Sequence, residues 1–172
     1  MKLEIRKTSR SLTLLVAFAA LITIATVASA AEHDASKYRM AVFVDSAYGD
    51  ALVAGDFEQA IERLDADGGR FGAVNNLCVA YVMASDADNA RAACDHAVKK
   101  SEKRLRHADS WIRQAYKRDA AIALTNRGVV LAVSGDLAGA QADFQRALDL
   151  RARLEEPEVN LVRVRSALAN GQ

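Results

Sequence analysis

One stretch limits the fold more than any other: Leu124 to Ala152, LTNRGVVLAVSGDLAGAQADFQRALDLRA. Leu124, Gly128 and Leu131 recur at helical spacing before Ser134-Gly135-Asp136, and Ala140, Phe144 and Ala147 do so after it. The pattern predicts two amphipathic helices joined by a tight turn, with small residues where their backbones approach. Such a hairpin cannot bury its second face alone and needs copies of itself stacked alongside. The chain is alanine-rich, has a single proline and few β-branched runs, so an all-α fold is expected throughout.

The first 30 residues are of another kind. Lys2, Arg6, Lys7 and Arg10 precede the apolar run Leu12 to Val27, and Ala28-Ser29-Ala30 follows. A basic head, an apolar centre and a small-residue end make a secretory signal, with cleavage expected after Ala30 and a periplasmic or secreted destination. The run is shorter than the ~20 residues that span a bilayer, so an uncleaved, membrane-tethered form is the lesser alternative. Removing the segment takes the net charge from +1 to −2 and leaves 142 residues, enough for one domain. A near-neutral, mixed-sign surface gives no reason to expect nucleic acid as a partner. Residues 31–45 are expected as an N-terminal extension and 46–172 as the helical domain. Within the extension, Tyr38 to Val44 (YRMAVFV) is apolar, and its pattern fits an extended segment or a first helical turn equally well.

Gly55-Asp56, Ser85-Asp86 and Gly135-Asp136 each end one apolar segment and open another. With Leu124, Gly128, Leu131, Ala140-x3-Phe144 and Ala147, the best-formed unit resembles a tetratricopeptide (TPR) repeat, a helical hairpin of about 34 residues with a W-x2-L-G-x2-Y…A-x3-F…P pattern. The unit departs from it at Arg127, where an aliphatic is usual, and at Ala152, where the closing proline is missing. The unit before it matches through Val74, Leu77, Cys78, Tyr81, Ala90-x3-Cys94 and Ala97. The first unit is weaker: Val44, Tyr48, Ala51, Ala60-x3-Leu64, with Asp67 where a small residue belongs. After Pro157, Leu161, Val164 and Leu168 share one face of an expected capping helix, Glu158 to Asn170. The resemblance implies antiparallel helix-hairpin repeats forming a short right-handed α-solenoid.

Asn76, Asn126 and Asn160 hold the same repeat position and support the register. The last two are 34 residues apart but the first two are 50 apart, which puts about 16 extra residues between units two and three. The stripe Ile112, Tyr116, Ala120, Leu124 runs unbroken into unit three, and Val98 and Leu105 continue unit two. A lengthened hairpin is expected there, its second helix capped by Asp109 or Ser110. Trp111 lies in it, expected to pack between the lengthened helices, with a binding hot spot as the alternative. In the repeat register Cys78 takes the place of Gly128 and Cys94 that of Phe144, so the two face each other. An exported protein meets an oxidising compartment, and a Cys78–Cys94 disulfide is expected, two buried thiols being the alternative.

Chemistry is sparsely encoded. His107, Asp109 and Ser110 are too close in sequence to form a nucleophile–base–orienter line, and Cys94-Asp95-His96 diverges around a helix. There is no glycine-rich phosphate loop, Cys-x-x-Cys or His-x-x-x-His motif. Neither an enzyme, a metal site nor a cofactor is therefore expected. In TPR stacks the first helices of successive units line a concave groove. By position that groove comprises Leu52, Val53, Asn75, Val79, Val82, Met83, Thr125, Val129, Ala132 and Val133. It lacks the basic residues with which some TPR domains clamp a terminal carboxylate. An apolar groove suits an apolar or amphipathic segment, from a protein partner or from this chain's own YRMAVFV. The expected function is an exported protein–protein interaction module. An accessory subunit of an envelope enzyme and a signal-anchored scaffold are the alternatives, and self-association through imperfectly capped ends stays open.

Overall fold

The computed structural model describes residues 37–46, 48–66, 69–150 and 152–171, without the side chains of 65 and 66. The segment expected to be a secretory signal, its expected cleavage site and Asp67 lie outside the described residues. Seven helices and no strands occur among the described residues: α1 Gly49–Ala54, α2 Phe57–Ala66, α3 Phe71–Met83, α4 Ala87–Arg106, α5 Arg113–Val133, α6 Leu137–Asp149 and α7 Glu156–Ala169. None of them is long and apolar enough to cross a membrane. From α2 onward each helix packs on its sequence neighbours, and α1, α3, α5 and α7 also meet in turn. The result is a helical, repeat-like stack.

The three turn dipeptides close the preceding helix in the same way. Gly55, Ser85 and Gly135 adopt positive φ (91°, 59° and 87°). In each, the amide of the following aspartate donates to a carbonyl five residues back: Asp56 to Ala51, Asp86 to Tyr81 and Asp136 to Leu131. The Gly or Ser amide donates three back, to Leu52, Val82 and Ala132. This paired bonding satisfies the last carbonyls of α1, α3 and α5. Asp86 and Asp136 then cap α4 and α6 by accepting from the amides of Asn89 and Gly139 (3.2 and 2.9 Å). Two residues thus stop one helix and start the next.

Inside the third hairpin the fully buried Phe144 ring lies on Gly128, where a Cβ would come within 2.5 Å of Cε1. The second hairpin solves the same contact covalently, with a Cys78–Cys94 disulfide and Cα atoms 4.8 Å apart. The expected bridge is present and wholly buried.

The lengthened hairpin is also present: α4 and α5 run 20 and 21 residues against 13 for α3 and α6. Two details differ from expectation. Neither Asp109 nor Ser110 caps α5; Ile112 stands at its N-cap without a side-chain bond. The Asp109 main-chain carbonyl instead accepts from the amides of Ile112 and Arg113, and the Arg113 guanidinium donates to the Ala108 carbonyl at 2.7 Å. Backbone closure leaves those hydroxyl and carboxylate groups no capping task. Trp111 does not pack between the helices; it sits in the connecting turn, 79% exposed. Between them Arg104 pairs with Asp119 (2.7 Å) and lies 5.2 and 4.2 Å from the Phe71 and Tyr116 ring centroids.

The ends of the stack differ. Pro157 opens α7, where its missing N–H is no loss. Leu161 and Val164 are buried, but Leu168 is largely exposed, so the cap covers only part of the edge. At the other end the helix expected from Val44 is shortened. The chain turns through 43–46, with the Ser46 amide donating to the Phe43 carbonyl, and α1 begins only at Gly49. Gly49 has to lack a side chain, since a Cβ would come 2.2 Å from the Phe43 carbonyl oxygen.

Candidate functional site, an asparagine ladder across the helix face

Asn75, Asn76, Asn126 and Asn160 are fully buried on α3, α5 and α7. A carboxamide taken out of water has to find partners for both its oxygen and its nitrogen. The partners lie far away in sequence. Asn160 Oδ1 accepts from the Arg39 amide (2.8 Å) and its Nδ2 donates to the Arg39 carbonyl (2.7 Å). Asn126 does the same to Ala41 (2.9 and 2.8 Å), and Asn76 to Phe43 (2.9 and 3.0 Å). Asn75 Nδ2 adds a bond to the Ala41 carbonyl, and its Oδ1 takes the second hydrogen of Asn126. Every buried side-chain polar atom among the described residues has a partner.

The rungs fall on every second residue, the period of an extended chain. Residues 38–43 therefore cross the face as a strand-like segment with no strand beside it among the described residues, the peptide groups of 39, 41 and 43 paired by side chains. The intervening side chains point into the helices. Tyr38 and Met40 pack with Val129 and Val164, while Met40 and Val42 pack with Leu52 and Val79. Phe43 stands edge-on to Phe71, with centroids 5.4 Å apart. Arg39 reaches out to Glu155 at 2.6 Å on the exposed rim.

The expected groove residues divide. Leu52, Asn75, Val79, Val129 and Ala132 are buried, and Leu52, Val79 and Val129 belong to the clusters that hold the segment. Val82 and Val133 are half-buried at the margin. Thr125 is buried but bonds the Ala121 carbonyl of its own helix at 2.7 Å. Val53 and Met83 are 70% and 49% exposed. The groove is thus filled by this chain's own residues 38–43. The sequence had shown the three repeat asparagines as markers of register only. Their place among apolar neighbours in the sequence, as in Val74-Asn75-Asn76-Leu77 and Val159-Asn160-Leu161, is the signal that could have marked them as buried and in need of partners.

On the other side of the stack, Arg127 is explained by Asp143. Its Nε and Nη2 donate to the two carboxylate oxygens at 2.6 and 2.8 Å, and Nη1 reaches Asp95 of the preceding hairpin at 3.2 Å. The hydrogen bond to Asp143 holds the guanidinium above its ordinary value against the effect of burial. This fork takes the place of an aliphatic contact and ties adjacent hairpins together.

Against known proteins, the chain matches no family model, no curated protein and no solved structure, so its function has to be read from the ladder and the face it spans.

Proposed function

We propose that the chain is an exported, TPR-like protein-interaction module that binds extended apolar peptide segments across the face of α3, α5 and α7. The observation carrying this reading is the ladder itself. Seven side-chain hydrogen bonds address only the main chain of residues 39, 41 and 43, so they suit any extended peptide in that register. Side-chain selection falls to the apolar walls that now receive Tyr38, Met40 and Val42. The chain's own segment occupies the site as an internal ligand, and a partner gains the face by displacing it. The helical-repeat stack, the buried disulfide and the signal-like N-terminus are consistent with a module working in an oxidising compartment.

A second reading has its own observation in favour. Met40, itself partly buried, packs against three core clusters at once, as expected of a permanent wall of the fold. Peptide exchange separates the two. Ala41→Pro removes the amide of the central rung and weakens docking of the internal segment. A labelled peptide, KYRMAVFVD (residues 37–45), should bind that variant at least tenfold more tightly than the wild type. Adding Asn126→Ala should abolish the gain. If the peptide binds neither folded protein, and excess peptide causes no change at the Arg39, Ala41 and Phe43 amides of the wild type, the segment is a fixed wall and the interaction reading is wrong.

A further inference from the structure

A cavity of about 810 Å3 adjoins the end of the ladder and is bounded by the bound segment itself, residues 42–46. Its other boundary comes from the start of α3 and from α4 and α5; Arg70, just before α3, joins Lys100, Arg104 and Arg118 around one space. Two carboxylates, Asp45 and Asp119, accompany the four cations. The cations outnumber the carboxylates four to two: Asp119 is matched by Arg104 at 2.7 Å and also feels Arg118, while Arg70 and Lys100 share the space with Asp45. Phe43, Phe71 and Ile122 supply an apolar wall. Three cations from separate elements beside aromatic rings make a concave site with both an electrostatic and an apolar component.

We propose that this cavity binds a small organic anion, with a phosphate or carboxylate group among Arg70, Lys100 and Arg118 and its apolar body against Phe43 and Phe71. Part of the wall is the segment the ladder holds, so the complete site exists only while that segment is docked. A ligand that binds the docked form alone shifts the equilibrium toward it. The anion therefore pins the internal segment and opposes its exchange for another peptide. The anion site stands without the peptide-binding reading of the groove, whereas this coupling rests on it.

Phenyl phosphate, inorganic phosphate and benzoate are the probes, each against sodium chloride at matched ionic strength. At ten times its Kd, a bound anion should raise Tm by roughly 5 °C. Phenyl phosphate should act at the lowest concentration because it fills both parts of the cavity. The effect should disappear in Lys100→Ala/Arg118→Ala, and in Arg70→Ala/Arg118→Ala if the first pair folds poorly. No rise beyond chloride, or an equal rise in both variants, overturns the site. In the peptide assay, saturating phenyl phosphate should weaken binding of KYRMAVFVD to the Ala41→Pro protein severalfold. Unchanged peptide affinity beside an intact thermal shift refutes the coupling and leaves the site. A peptide that never binds refutes the groove reading, while the thermal shift still judges the cavity.

Discussion

Asn126 is the rung whose loss should matter most. Replacing it with alanine removes the acceptor of the Ala41 amide and the donor to Asn75 Oδ1. The Ala41 carbonyl keeps a partner in Asn75 Nδ2 at 3.2 Å. Two polar groups are then left without partners in a buried setting, each costing about 1–3 kcal/mol. Allowing for some water entry, we expect Asn126→Ala to lose about 3 kcal/mol, roughly a 10–15 °C fall in Tm. Asn160→Ala should cost less, since its rung lies near the rim where Arg39 is exposed to water. The geometry also predicts where the loss shows. Amide hydrogen exchange in the wild type should alternate, with Arg39, Ala41 and Phe43 protected and Met40 and Val42 fast. In Asn126→Ala, protection at the three rungs should fall on the order of 100-fold, while the centres of α5 and α6 lose less. Asn126→Asp should be at least as harmful, because an isosteric carboxylate turns an acceptor toward Asn75 Oδ1 and the Ala41 carbonyl. Uniform protection along 39–43, or a cost below about 0.5 kcal/mol for Asn126→Ala, would refute the ladder as the segment's main fastening.

Other consequences can be checked by thermal or denaturant unfolding. Gly128→Ala drives a methyl group into the Phe144 ring and should cost about 1–3 kcal/mol, partly recovered by Phe144→Leu in the same chain. Ser85→Gly should stabilise by about 0.5–1 kcal/mol, because Ser85 holds a φ of 59° where glycine stands in the other two turns. Asp119 has its pKa raised, chiefly by burial, against the lowering effect of Arg104 and Arg118. A raised carboxylate binds its proton more tightly in the folded state, so its contribution to stability improves as pH falls through the folded pKa. The stability of the wild type relative to Asp119→Asn should therefore increase as pH is lowered from neutrality toward the carboxylate range, and a constant difference would contradict the shift.

The helices were largely legible because the turn dipeptides are local signals, and α3 to α6 end and begin where Ser85-Asp86 and Gly135-Asp136 place them. Facing positions in the hairpin register also sufficed to pair Cys78 with Cys94. What escaped depends on contacts distant in sequence. An asparagine reads the same whether it faces water or a peptide 85 residues away, as Asn126 does with Ala41. The short α1 follows from the path of residues 43–46 out of the face, which no local pattern of Val44, Tyr48 and Ala51 reveals. The α5 start was misplaced because main-chain bonds at Asp109 replaced the side-chain cap that the residue type suggested. Trp111, weighed between packing and a binding hot spot, lies in the connecting turn at 79% exposure, while Arg104 reaches the Phe71 and Tyr116 rings from α4.

The rungs at residues 39, 41 and 43 make the helix stack a ruler as well as a surface. Each step from α7 to α5 to α3 is matched to two residues of extended chain, about 6.6–6.8 Å of rise. One extra residue between 39 and 43 would leave a rung mismatched and turn the following side chains from the walls toward water. Side-chain identity can vary along such a segment more freely than its length can, because the rungs address only the main chain.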